Sequence, residues 1–251
     1  MRIGIDIGGT KILAGVVDEY GNVIHKKKIL TGEDKSYPTV RNDIATLING
    51  IIKDSQVDRK DIDRIGFACA GQIDKVSQNI IFSPNLGWHD APLKRDFERL
   101  FEVEIFVEND VNAATYGEWK FGLNGGPDDV VGVFVGTGIG GGLIINRKLY
   151  RGFSGVGGEL GHIMVNPYGY ECNCGNRGCF EAYCGGSYII GRVKKAIEDG
   201  YRGKLWDIIA LTTHHSLKNI RDGMYKITIQ SKFKKLTKTI KKLFIKANKE
   251  K

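Results

Sequence analysis

His162, Cys172, Cys174 and Cys179 are the residues of this chain whose types and spacing specify chemistry most directly. The run Cys172-Asn173-Cys174-Gly175-Asn176-Arg177-Gly178-Cys179 puts three thiols on a glycine-containing knuckle, and one imidazole completes a tetrahedral Cys3His set for Zn2+. With all four positions supplied by protein, such an ion is structural, because no coordination site remains for water. His162 can ligate through one ring nitrogen and address a substrate through the other. The competing reading is a chance cluster of reduced thiols. Cys69 and Cys184 read as small core residues.

A second constellation is Asp6-Ile7-Gly8-Gly9-Thr10-Lys11. Glycines let backbone N–H groups approach an anion, Thr10 offers a hydroxyl, Lys11 a point charge, and Asp6 a hard oxygen suited to Mg2+. The spacing is not that of a Walker A loop, and a strand rather than a helix follows. Phosphate binding and a plain tight hairpin both fit. The run Gly136-Thr137-Gly138-Ile139-Gly140-Gly141-Gly142 contains a formal G-x-G-x-x-G. A dinucleotide fold needs a helix to open there, whereas residues 143–150 look like a hairpin. Two Gly/Thr turns, one per half of the chain, read either as facing phosphate clamps or as unrelated turns.

Glu108-Asn109-Asp110 lies where a strand enters a helix. A carboxylate there can accept a proton from a bound hydroxyl, the base role in phosphoryl transfer, while Asn109 orients that hydroxyl. Asn109 or Asp110 as a simple N-cap is the alternative. Glu159, His162 and Glu181 add a carboxylate and imidazole rim able to hydrogen-bond several sugar hydroxyls.

The elements that must position these groups are short. Residues 2–6, 11–17 and 23–29 are β-prone and read as an antiparallel meander, with Gly8-Gly9 and Gly21-Asn22 as turns. Val40, Ile44, Leu47, Ile48 and Ile51 recur at helical spacing. Strands over 65–68 and 105–107 and a helix over 111–120 complete one α/β unit. A linker at 122–129 precedes strands at 130–135, 143–145 and 148–150, and helices are read at 189–198 and, more weakly, at 205–211. The expected domains are 1–121, 122–211 and a tail over 212–251.

The chain has 251 residues, enough for a sizeable core, with no apolar stretch near the ~18 residues of a membrane span. Its net charge of +8 is concentrated at one end: residues 223–251 hold ten Lys and one Glu, and the preceding 222 residues net −1. Such a balanced body gives no general reason to bind nucleic acid. In the tail, Phe233, Leu236, Ile240 and Leu243 describe a basic amphipathic helix. No export signal is read, and clustered cysteines fit a reducing compartment, so a cytoplasmic protein without membrane partners is expected.

Together these motifs resemble the ROK family of sugar kinases and related repressors. The likeness runs over roughly residues 1–200: Asp6–Lys11, Cys69-Ala70-Gly71-Gln72-Ile73-Asp74, Pro84-Asn85-Leu86 with Trp88, Glu108-Asn109-Asp110, the 136–142 loop, Gly158-Glu159 to His162, and the cysteine segment ending at Glu181. The resemblance implies an α/β, two-lobed actin-like ATPase (RNase H-like) fold that closes on ATP, Mg2+ and a hexose, glucose above others. By position, Asp110 would be the general base, and Gly71, Asn109, Asp110, Glu159, His162 and Glu181 would line the sugar site. Asp6, Gly8, Gly9, Thr10, Lys11, Gly136, Thr137, Gly138 and Gly140 would hold ATP, and the zinc would brace the sugar-binding segment. A homodimer is also implied.

Repressors of the family carry a DNA-binding domain ahead of the phosphate loop; a loop starting at residue 6 points to the kinase branch. The resemblance further implies an Asn-Pro segment and a Gly-Gly loop beside the adenosine, with a final helix returning to the first lobe. After residue 211 no Asn-Pro occurs, and no Gly-Gly pair follows Gly185-Gly186. Two expectations follow: a chain truncated or frameshifted near 200–215, or a genuine basic end. The corresponding functions are an ATP-dependent hexose kinase and a catalytically impaired sugar-binding or regulatory remnant.

Overall fold

The computed structural model describes residues 1–201 and has an α/β architecture. Strands β1 (Arg2–Ile7), β2 (Lys11–Val17) and β3 (Val23–Leu30) form the expected antiparallel meander. Period-two alternation buries Ile3, Ile5 and Ile7 on one face of β1 and leaves Arg2, Gly4 and Asp6 on the other. Helix α1 (Tyr37–Ser55) buries all five positions recognised from their spacing, Val40, Ile44, Leu47, Ile48 and Ile51. Its start is fixed by Asp34, which accepts from the Ser36 N–H (2.9 Å) and the Thr39 hydroxyl (2.6 Å), and by Pro38 in the first turn.

The chain then returns as β4 (Arg64–Cys69), parallel to β1. A small antiparallel sheet follows, β5 (Gln72–Ile73), β6 (Ile80–Ser83) and β7 (Trp88–Ala91), and then α2 (Leu93–Phe101), neither of which the sequence reading contains. Leu93, Phe97 and Phe101 recur every four residues and are buried, with Phe97 packed on Phe67 at a ring separation of 4.7 Å. Strand β8 (Glu104–Asn109) joins β4 in parallel, completing a mixed sheet in the order β3-β2-β1-β4-β8. Residues from α1, α2 and one sheet face form a single core. The opposite face carries Gly4, Gly15 and Gly66 in one cross-strand row and floors a cavity of about 970 Å³.

Helix α3 (Asp110–Gly117) starts where β8 ends. It is shorter than the 111–120 reading, because a π-helical turn takes over at Glu118–Gly122. The second sheet, in the order β11-β10-β9, contains β9 (Val130–Val135), β10 (Ile139–Ile145) and β11 (Lys148–Tyr150). The glycine-rich turn expected over 136–142 is narrower: β10 already begins at Ile139. Packing explains the difference. A Cβ at Gly140 would stand 2.5 Å from a Val111 methyl, and one at Gly142 would overlap the Thr115 side chain, so these glycines let β10 lie against α3. Helices α4 (Phe180–Cys184) and α5 (Gly186–Glu198) close the described region, α5 starting three residues before the expected 189.

Two compact units result among the described residues, Met1–Phe134 with Ile139–Met164, and Val135–Gly138 with residues 165–201. The segments read at 205–211 and 212–251, including Phe233, Leu236, Ile240 and Leu243, lie outside the described residues. Among the described residues, no helix is long and apolar enough to cross a membrane. Gly142→Val is expected to destabilise the protein by about 1–3 kcal/mol through overpacking between β10 and α3. Urea unfolding reads this, and an unchanged midpoint would contradict the packing role.

Candidate active site

Parallel register brings the chemistry of the first unit to one sheet edge. Asp6 pairs with Ala68 and Ala68 with Glu108; one step on, Ile7, Cys69 and Asn109 align. The ends of β1, β4 and β8 therefore present Asp6, Cys69 and the Glu108–Asp110 corner together. Asn109 is the N-cap of α3: its Oδ1 accepts from the Val111 N–H at 3.0 Å and the Asn112 N–H at 3.1 Å, while its Nδ2 donates to the Gly71 carbonyl at 3.1 Å. Gly71 is obligatory there, with φ +139° and no room for a Cβ beside the Phe82 carbonyl. Capping thus occupies the Asn109 side chain and leaves Asp110 as the first helical residue.

Desolvation raises Asp110 above the ordinary carboxylate value; the Val111 N–H opposes this, and the charge of Asp6 adds to it. Asp6 is likewise raised by desolvation and drawn back by Lys11. Cys69, buried beside Ser83, is pushed up to about 11, mainly by burial. It is a buried neutral thiol and not a nucleophile. In the β1–β2 hairpin, the Gly8 N–H donates to the Lys11 carbonyl (3.0 Å), the Thr31 hydroxyl donates to the Gly8 carbonyl (2.7 Å), and Thr10 and Lys11 are exposed. Gly9 sits against the Asn85 carbonyl, 2.7 Å from where its Cβ would stand.

Glu108 has an elaborate set of partners that spacing did not suggest. Its Oε2 accepts from Arg151 Nε at 2.6 Å, and its Oε1 from the Asn109 N–H at 3.1 Å and Asn112 Nδ2 at 3.2 Å. Arg151 follows β11, 43 residues away in the chain, so no local pattern could reveal the pairing. Further along, Glu159 is exposed at the head of a 3-10 turn, Leu160–His162, and its carbonyl accepts from the His162 N–H at 3.0 Å.

In the second unit, the Gly136–Gly138 turn is tied to the start of α5: the Gly136 carbonyl accepts from the Gly186 N–H (3.0 Å), and the Thr137 carbonyl from the Ser187 N–H and hydroxyl (both 2.9 Å). Glu181, in the first turn of α4, lies against Gly138, where a Cβ would collide with its carboxylate. The cysteine knuckle is shaped by backbone bonds, Gly175 N–H to the Cys172 carbonyl (2.9 Å) and Cys172 N–H to the Asn176 carbonyl (2.8 Å). Cys174 and Cys179 sulfurs stand 3.6 Å apart, too far for a disulfide, and the Tyr188 hydroxyl lies 3.7 Å from Cys172 Sγ. The sulfurs of Cys172, Cys174 and Cys179 all lie within 4.8 Å of one another, an arrangement compatible with Zn2+.

Comparison with known proteins matches the ROK family model to residues 2–230, and the chain belongs to the ROK family. It is 40% identical over 195 residues to a glucokinase of Streptomyces coelicolor, covering 78% of this chain and 59% of that protein. It is 36% identical over 181 residues to the xylose repressor of Bacillus subtilis, covering 72% and 47%. Among solved structures, a ROK family glucokinase from Streptomyces griseus in complex with glucose and AMPPNP matches with 39% identity and a TM-score of 0.67, covering 79% of this chain and 62% of that one. The chain thus spans about 60% of the length of the glucokinases it matches. Its α/β fold is the actin-like ATPase fold of the ROK kinases, of which it covers part.

The raised pKa of Asp110 has a definite sign for stability. A carboxyl whose folded pKa lies above its unfolded value binds its proton more tightly when folded, so stability falls as pH rises from about the ordinary 3.8 through the folded pKa. Asp110→Asn removes that cost and is expected to raise the urea midpoint at pH 7 while leaving it nearly unchanged well below pH 3.8. A lowered midpoint at pH 7 would contradict the electrostatic account.

Proposed function

We propose that this chain forms the hexose- and phosphate-binding part of an ATP-dependent sugar kinase of the glucokinase type, with Asp110 as general base. The observation that carries the reading is Asp110 itself: a half-buried carboxylate at the first turn of α3, raised above its ordinary value, beside a neighbouring Asn whose side chain is committed to capping. As the sugar hydroxyl oxygen forms its bond to the γ-phosphorus of ATP, the bond to the β–γ bridging oxygen breaks, ADP departs, and Asp110 takes the hydroxyl proton. Gly71, Glu159, His162 and Glu181 supply further hydrogen-bonding groups for the sugar. The Gly8–Lys11 and Gly136–Gly138 turns, whose Gly8 and Gly136 N–H groups close the turns themselves, supply their other backbone N–H groups and the Lys11 cation for phosphates.

Asp6 is the hard oxygen suited to Mg2+, which neutralises phosphate charge when bound. Zn2+ fits the three thiols and His162, and there it would crosslink the knuckle that leads into Glu181. A sugar-binding regulator is the second reading, favoured by the likeness to a xylose repressor.

Coupled ADP-release assays with glucose, N-acetylglucosamine and N-acetylmannosamine separate the two readings. The kinase reading predicts turnover that Asp110→Asn lowers by about 10²–10⁴-fold, and a rate that rises with pH as Asp110 ionises. Unaltered turnover in that variant would overturn the mechanism, whereas calorimetric sugar binding with no turnover would favour the regulator. For the metal, the purified chain is expected to hold about one Zn2+, with Cys172→Ser losing it and lowering the melting temperature. Equal zinc content in both proteins would remove the site.

A further inference from the structure

We infer that Arg151 and Glu108 form a clamp that fixes the corner carrying Asp110 and, through the same arginine, the loop leading to Glu159, so that both are positioning residues for the base. The inference rests on the kinase reading for its functional consequence, while the clamp itself rests on geometry alone. Glu108 stands two residues before Asp110 and is 19% exposed at its side chain. Two guanidinium nitrogens of Arg151 converge on one carboxylate oxygen, Nε at 2.6 Å and a terminal nitrogen at 2.5 Å. The other oxygen takes the Asn109 N–H and Asn112 Nδ2.

Four donors on one carboxylate leave it no role in accepting a substrate proton, and charge-assisted bonds of this kind are short and directional. Of the three residues at the corner, Glu108 is saturated and Asn109 caps the helix, which leaves Asp110 to face the substrate.

Asn112 shows how far the corner is constrained. It is 3% exposed, its Nδ2 is committed to Glu108, and its Oδ1 is buried without a hydrogen-bond partner among the described residues. An orphaned buried acceptor is unfavourable and persists where surrounding bonds dictate the rotamer. On the other side, the Arg151 carbonyl accepts from the Gly157 N–H at 2.9 Å, which closes the loop over residues 152–156. Gly152, Gly155 and Gly158 all have left-handed φ, from +69° to +93°. Chain with three such glycines has little intrinsic rigidity, so the ion pair at its root sets where the loop, and Glu159 directly after it, begins. Lys75 reaches the Gly152 carbonyl at a longer 3.4 Å and is the weaker tie.

The test uses the full chain with Arg151→Met, Arg151→Lys and Glu108→Gln, read by amide hydrogen exchange and by hexose-dependent ADP release. Arg151→Met is expected to speed exchange at Asn109, Val111 and Asn112 by about tenfold or more while β1 amides stay unchanged. It should also lower kcat by about 10–100-fold, more than it changes KM for the hexose. Arg151→Lys, which keeps the charge and one donor, should recover part of both effects, and Glu108→Gln should resemble Arg151→Met. Corner exchange that does not move, or that rises equally in β1, overturns the clamp. A loosened corner with kcat unchanged overturns its positioning role. A loosened corner in a protein inactive toward every hexose before mutation supports the clamp and overturns the kinase reading.

Discussion

Everything placed at the site hangs on the in-register parallel pairing of β1, β4 and β8. Backbone hydrogen bonds between these strands bring Asp6, Cys69 and Asn109, distant in the chain, to one edge of a sheet whose other face is anchored by α1 and α2. Because side chains alternate along a strand, a shift of one residue in β8 would turn Val107 outward and send Glu108 into the core. Burial of Ile105 and Val107 against Phe67 and Phe97 makes such a shift costly. The hydrophobic core therefore selects which carboxylates reach the edge.

Helix α3 extends that constraint from backbone to chemistry. Its start is fixed by Asn109, which caps two N–H groups and reaches back to Gly71, and its flank is fixed by β10, whose glycines admit Val111 and Thr115. A helix held at one end by hydrogen bonds and along one side by close packing offers a stable platform for a single carboxylate. Partial desolvation of that carboxylate opposes stability while favouring proton transfer, the tension found where a fold carries a base. Of the alternatives that Asn109 and Asp110 offer when read from sequence, the N-cap falls to Asn109, and the neighbouring Asp110 carboxylate is the one for which the base role is proposed.

Legibility in the sequence followed the range of the interactions. The meander and α1 are local, set by turn residues and by apolar positions at helical spacing, and both stand where spacing places them. The Cys172–Cys179 knuckle is local too, and its thiols converge. Helix α2 escaped because nine residues crowded with charge show an apolar face only when Leu93, Phe97 and Phe101 are aligned, and β5–β7 are too short for alternation to register. The glycines at 140–142 look like a loop because a sequence does not show which helix they approach. Arg151 was invisible for the same reason: its partner lies 43 residues earlier, and nothing near either residue marks the pair.

The most direct measurement is the titration of the Asp110 carboxyl carbon by NMR in protein labelled at aspartate, with and without glucose. The account predicts a midpoint above the ordinary carboxylate value of 3.8, lowered when Asp6→Asn removes the neighbouring charge and displaced again when glucose is added. A midpoint at the ordinary value, indifferent to both Asp6 and glucose, would contradict the assignment of Asp110 as a desolvated base facing the sugar.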